Sequence, residues 1–235
     1  MKNKKSLQIE AKKKHKLSLS SAKSKRRDEP ELERAEAIKL EKPTILIVCE
    51  GKNTEPSYFE QFKLSSATIT ALGNGNNTVS LVNQAIALKT KGSYDQVWCV
   101  FDKDNFSANN FNKAITLAKE NDFGVAYSNQ SFEYWLILHF EDHQGGGMNR
   151  KDYEKTINKY IVPLGANYDG SGNKKVSEEL FELLCGVDSK IKKARIDIAI
   201  SRAKRNYNLF NHKSPASEES STTVFELIEE IQKYI

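Results

Sequence analysis

The chain has 235 residues, of which 38% are hydrophobic, and a formal net charge of +5. That length suits one large α/β domain, or one domain with a helical lobe, and the apolar content is enough to build a core. No apolar run approaches the roughly 20 residues that span a bilayer, and no apolar segment follows the basic start as it would in a secretory leader. Cys49, Cys99 and Cys185 include no CxxC pair and are odd in number, which argues against a disulfide framework, so a cytoplasmic protein with no membrane partner is expected.

The charge is unevenly spread. Residues 1–27 hold eleven Lys/Arg against the single acid Glu10, a formal +10, so the remainder of the chain is net −5. With few large apolar residues, residues 1–43 read as a basic, disordered arm and linker. Attraction to phosphate makes Lys12, Lys13, Lys14, Lys25, Arg26 and Arg27 candidate nucleic-acid contacts. The same arm would also suit the acidic body, a partner protein or a solubilising role. The stretch "DEPELERAEAIKLEKP" (28–43) reads as a short helix or linker ending at Pro43.

The pattern then changes to alternating strands and helices. "TILIVCE" (44–50) is a buried strand rich in β-branched residues. Gly51 permits a tight turn, and Thr54 is placed to cap a helix that starts near Glu55 and Pro56. "SATITAL" (66–72) reads as a strand, "GNGNN" (73–77) as a turn and "TVSLVNQAIALKTK" (78–91) as a helix. "YDQVWCVFDKDN" (94–105) is the next strand, with its acids at the exit. A helix over 109–122, a strand over 123–130 and a buried helix over 131–140, with Ser131 as a possible N-cap, follow. This order predicts a mainly parallel sheet in a core spanning 44–145.

Residues 146–235 read as a mostly helical extension packing on that core, after a connector at 141–152. Within the connector, "QGGGMNR" (144–150) fits either a substrate-contacting loop or a plain linker. Helices are predicted over 153–161, 177–185, 188–209 and 222–235, the third with a basic face and the last amphipathic. The last helix offers a homodimer surface or simply completes the core.

Four acids stand where strands leave the sheet. Glu50 ends the first strand, Asp102 and Asp104 end the third, and Glu133 follows the fourth. In an open parallel sheet those ends gather at the edge where ligands bind. Two residues apart in extended backbone, Asp102 and Asp104 face one side and Lys103 the other. Clustered carboxylates repel unless a cation or proton intervenes, and magnesium or manganese, as one or two ions, is the cation such oxygens suit. Taken singly, each acid also fits a helix cap or a surface group.

The stretches "VCEGKNTEPSYF", "VFDKDN" and "SNQSFEYWLILHF" resemble the RloB family, found in bacterial restriction and abortive-infection loci. Its core is similar to the Toprim fold of topoisomerases, primases and OLD-type nucleases. Glu50-Gly51 and the Asp102-Lys103-Asp104 triplet match the Toprim pattern, and Ser131-Phe132-Glu133 matches the Ser-x-Glu of the OLD-type nucleases. The resemblance implies an α/β fold with a Toprim-like, mainly parallel sheet flanked by helices and a C-terminal helical extension. It implies metal binding by Glu50, Asp102 and Asp104, with Glu133 and Glu55 supporting a second ion. A downstream lysine is expected to act on the scissile phosphate, and Lys204 is the first candidate, with Arg202 and Arg205 on the same basic face.

Lys52 lies near a helix start, a place suited to phosphate, although the Walker A pattern is missing and a surface lysine is the default. His139, six residues after Glu133, is poorly spaced to share a metal with it. Three functions follow. The first is metal-dependent hydrolysis of DNA or RNA in phage defence. The second is a non-catalytic nucleic-acid-binding subunit working with the ATPase partner that the resemblance implies. The third is nucleotidyl or phosphoryl transfer.

Overall fold

The structure is a computed structural model that describes residues 4–25, 42–72, 78–104 and 106–235. The chain divides into two units, Met1–Glu41 and Lys42–Ile235. In the first, α1 (Lys4–Lys25) is a helix where composition suggested a disordered arm. It is made of good helix formers with no Gly or Pro. Its described side chains are exposed and it gathers no apolar stripe, so nothing in its own sequence commits it to packing. The linker reading over 28–41 lies outside the described residues.

The second unit is built on a five-stranded sheet in the order β2-β1-β3-β4-β5. β1 (Ile45–Cys49), β2 (Ala67–Ala71), β3 (Gln96–Asp102) and β4 (Gly124–Asn129) run parallel, as their separation by helices requires. β5 (Ser221–Thr222) adds antiparallel to β4. The chain passes from β1 to β2 on one side and then to β3 on the other. The strand order therefore reverses between β1 and β3, the crevice where open α/β sheets bind ligands.

Alternation along β1 feeds two cores. Leu46 and Val48 join Val97, Cys99 and Phe101 under α3 (Thr78–Lys91) and α4 (Ala108–Glu120). Ile45, Ile47 and Cys49 face α2 (Thr54–Glu60), α5 (Glu133–Leu138), α6 (Tyr153–Ile161), α7 (Glu178–Cys185), α8 (Arg195–Tyr207) and α9 (Val224–Gln232). Both faces of the sheet are covered, which is why the strands read as continuous apolar runs rather than alternating ones.

Two expectations change in detail. The helix expected over 188–209 starts only at Arg195. Before it, the Asp188 carboxylate accepts from the backbone N–H of Lys190 (2.9 Å) and Ile191 (2.8 Å), and Lys192 turns with φ +60°. An aspartate that bonds its own downstream backbone favours a turn over a helix, and it takes Lys190, Lys192 and Lys193 off the basic face. Thr54 does not cap α2. Asn53 holds the cap position without a side-chain bond, and Thr54 Oγ1 lies 3.1 Å from the Tyr168 hydroxyl.

Candidate metal centre

Each acid is placed by a different local device. Glu50 prolongs β1: its N–H donates to Val100 O (2.9 Å), and its Oε2 accepts from Asp102 N–H (3.2 Å). The adjacent exits of β1 and β3 are thereby tied together. At Gly51 a Cβ would meet the Glu55 carboxylate, so a side chain there would require Glu55 to move. Glu55 sits buried in the first turn of α2 and accepts from Gly51 N–H at 3.3 Å, at the helix end that favours negative charge.

Asp102 ends β3. Asp104 reaches the same place by a turn and not by strand alternation. The strand stops at Asp102, Asp104 takes φ +39°, and its N–H donates to Gln130 O at 3.0 Å. Lys103 turns away as expected, its ammonium donating to Phe106 O at 2.6 Å.

Glu133 opens α5 with both oxygens engaged. Ser131 Oγ donates to Oε2 (2.7 Å) and the Tyr168 hydroxyl to Oε1 (2.8 Å). Ser131 thus orients Glu133 and does not cap the helix, whose cap position is Phe132. Tyr168 is pinned in turn by Asn158 of α6, which bonds both its N–H and its C=O at 2.8 Å.

Glu50, Glu55, Asp102, Asp104 and Glu133 line one cavity of about 290 Å³. Crowding and burial raise Glu50, Glu55 and Asp102. Burial, with the charges of Asp104 and Glu55, raises Glu50 to about 7. Burial, with Glu133 and Asp104, raises Glu55 to about 7. Asp102 is pushed well above the usual carboxylate range, again by burial first and then by Glu55, Asp104 and Glu133. Asp102 Oδ1 is buried and has no hydrogen-bond partner among the described residues. Arg150 forms an ion pair with Asp104. Among the described residues, no three His, Cys, Asp or Glu side chains stand close enough together to hold one ion as they are.

Other candidates fall in different places. Lys52 lines the acid cavity and is exposed. Lys204 does not line it: its ammonium pairs with Glu229 at 2.6 Å and lies over the Phe225 ring. Arg202 donates to Leu138 O (2.8 Å), and Arg205 to Asp142 (2.7 Å) and His143 O (2.8 Å), so both brace the segment after α5. Lys12, Lys13 and Lys14 are exposed on α1, where Lys25 also falls, and Arg26 and Arg27 lie outside the described residues. His139 is core: its Nδ1 lies 2.9 Å from Trp135 O, and burial lowers it to about 3.

Arg150, Lys174 and Tyr168 were not singled out from the sequence. Arg150 closes the "QGGGMNR" stretch, which did carry a substrate-loop reading. Lys174 and Tyr168 sit in a segment whose Gly, Asn and Asp content signals only a loop.

No described helix is long and apolar enough to cross a membrane. Searches of curated proteins and of solved structures return no match. With its mainly parallel, Toprim-like sheet and a match over residues 45–231 to the family model described as RloB-like protein, the chain belongs to the RloB family.

Proposed function

We propose that this protein hydrolyses phosphodiester bonds of DNA or RNA with magnesium or manganese held in the acid-lined cavity. The observation that carries this reading is the unpartnered, buried Oδ1 of Asp102 among four further carboxylates at the sheet's switch point. A buried carboxylate oxygen left without a donor is costly unless a proton or a cation meets it. An all-oxygen donor set fits a hard divalent ion.

Glu50, Asp102 and Asp104 would hold the first ion, with Glu133 and Glu55 available to a second. The bound ion would supply charge neutralisation and a more acidic water for attack on phosphorus. The chain's own groups do the rest. Asp102 N–H tethers the Glu50 carboxylate, and Tyr168 and Ser131 tether Glu133, so both acids are held at the cavity wall. Arg150 now neutralises Asp104. With Asp104 engaged by an ion, the Arg150 guanidinium would be available to the substrate. The family link supports a nuclease setting, and phage defence is the role that the RloB resemblance implies.

The test is cleavage of single- and double-stranded DNA and RNA by the wild type and the Asp102→Ala/Asp104→Ala double variant in magnesium, manganese or EDTA. Metal-dependent cutting abolished in the variant is expected. Tight binding with no cutting under any metal would instead favour the non-catalytic nucleic-acid-binding subunit.

A further inference from the structure

The acid cavity shares a wall with a cavity of opposite character. The neighbour, of about 360 Å³, is lined by three cations, Arg150, Lys151 and Lys174, and by two acids, Glu133 and Glu154. Arg150, Lys174 and Glu133 line both spaces. Both acids of the second cavity already accept hydrogen bonds, Glu133 from Ser131 and Tyr168 and Glu154 from Ser171 Oγ at 2.6 Å. The cations are less committed. Among the described residues, neither the Lys151 nor the Lys174 ammonium has a hydrogen-bond or ion-pair partner, and the Arg150 side chain reaches Asp104 through Nη1. A guanidinium has five donors, which leaves a fork for a second anion.

Lys174 is presented by a built turn. The Asp169 carboxylate accepts from Gly172 N–H (2.7 Å) and Asn173 N–H (3.1 Å), and Asp169 O from Lys174 N–H (2.9 Å). Lys174 takes φ +53°, a conformation that a lysine seldom adopts.

We propose that this second cavity seats a phosphate neighbouring the one hydrolysed, gripped by Arg150 and Lys174 with Lys151 at its side. The proposal rests on the nuclease reading for its ligand. Charge divides the labour: the acidic space suits a cation, the basic space suits a polyanion's next phosphate, and Arg150 stands on the boundary. A strand entering this way is positioned by its backbone and not by its bases, which implies contact with little sequence preference.

The test measures binding of labelled single-stranded DNA and RNA to the full chain across a salt series, in EDTA and in calcium, with inorganic pyrophosphate as competitor. Arg150→Gln and Lys174→Gln are compared with the wild type and with Lys113→Gln, an exposed change on α4; Arg150→Lys serves if Arg150→Gln unfolds. Each cavity variant is expected to weaken binding about five- to tenfold and to lower the salt slope by about 0.7 per lost phosphate contact. Pyrophosphate should compete less well against the cavity variants, and Lys113→Gln should behave as wild type. Cavity variants that bind like the wild type overturn the seat, even if the wild type cleaves. Their weakened binding in a protein that cuts nothing keeps the seat and removes the nuclease reading. A wild type that binds neither oligonucleotide nor pyrophosphate overturns the seat outright.

Discussion

Glu55 and His139 are both buried, and they make stability depend on pH in opposite senses. Glu50 and Glu55 titrate near 7 in the folded chain, against an ordinary value near 4.5. The folded state therefore holds more protons than the unfolded one in that window. Their contribution is present at acid pH and is lost as pH rises through about 7, of order 1–3 kcal/mol per carboxyl. In EDTA, the melting temperature is expected to fall between pH 5 and pH 8, Glu55→Gln to flatten that fall, and millimolar manganese to restore the wild type at pH 8. An unchanged slope in Glu55→Gln would show that this carboxyl is not the source. His139 is lowered to about 3. Here the unfolded state binds the extra proton, so stability is full above about 6.5 and declines towards pH 3 by roughly 1.4 kcal/mol per unit. His139→Leu should flatten that acid limb in denaturant titrations.

Glu50, Asp102, Asp104 and Glu133 were legible in the sequence because each stands at or just after the end of a strand-like run, and strand ends converge in a parallel sheet; Glu55, inside α2, came only from the family resemblance. Arg150 and Lys174 were not, because their partners lie far along the chain and loop chemistry says nothing about where a loop docks. Lys204 is the opposite case: helical spacing groups it with Arg202 and Arg205, but tertiary packing turns its ammonium to Glu229 and Phe225 while the two arginines reach the segment around Leu138–His143.

Among the elements, the loop after α6 controls the site most directly. Tyr168 links Thr54 of α2 to Glu133 of α5. Tyr168→Phe keeps the ring and removes the hydroxyl, leaving two polar partners unsatisfied at a cost of about 1–3 kcal/mol. A lower melting temperature together with weaker manganese binding is expected; a lower melting temperature with unchanged manganese binding would confine Tyr168 to packing. The four parallel strands and most helices were readable because buried runs and helical spacing are local signals. β5 was not readable, since two residues carry no period and its place depends on Thr222 meeting Ser128. The start of α8 was misplaced because the Asp188 turn outweighs the helix propensity of the lysines around it.

For the molecule as a whole, sheet, core and candidate centre all lie within Lys42–Ile235, and the family match runs over 45–231. The basic α1 belongs to the other unit. Removing residues 1–41 is expected to leave the melting temperature of the remainder nearly unchanged. Cleavage at saturating substrate should also persist, while nucleic-acid affinity and its salt dependence fall. Loss of folding on truncation would contradict this division.

The most direct measurement is an anomalous difference map from crystals soaked in manganese. A peak coordinated by Glu50, Asp102 and Asp104, with Arg150 displaced from Asp104, is the expected result. Crystals that take up manganese elsewhere while the Arg150–Asp104 pair stays intact would contradict a metal centre in this cavity.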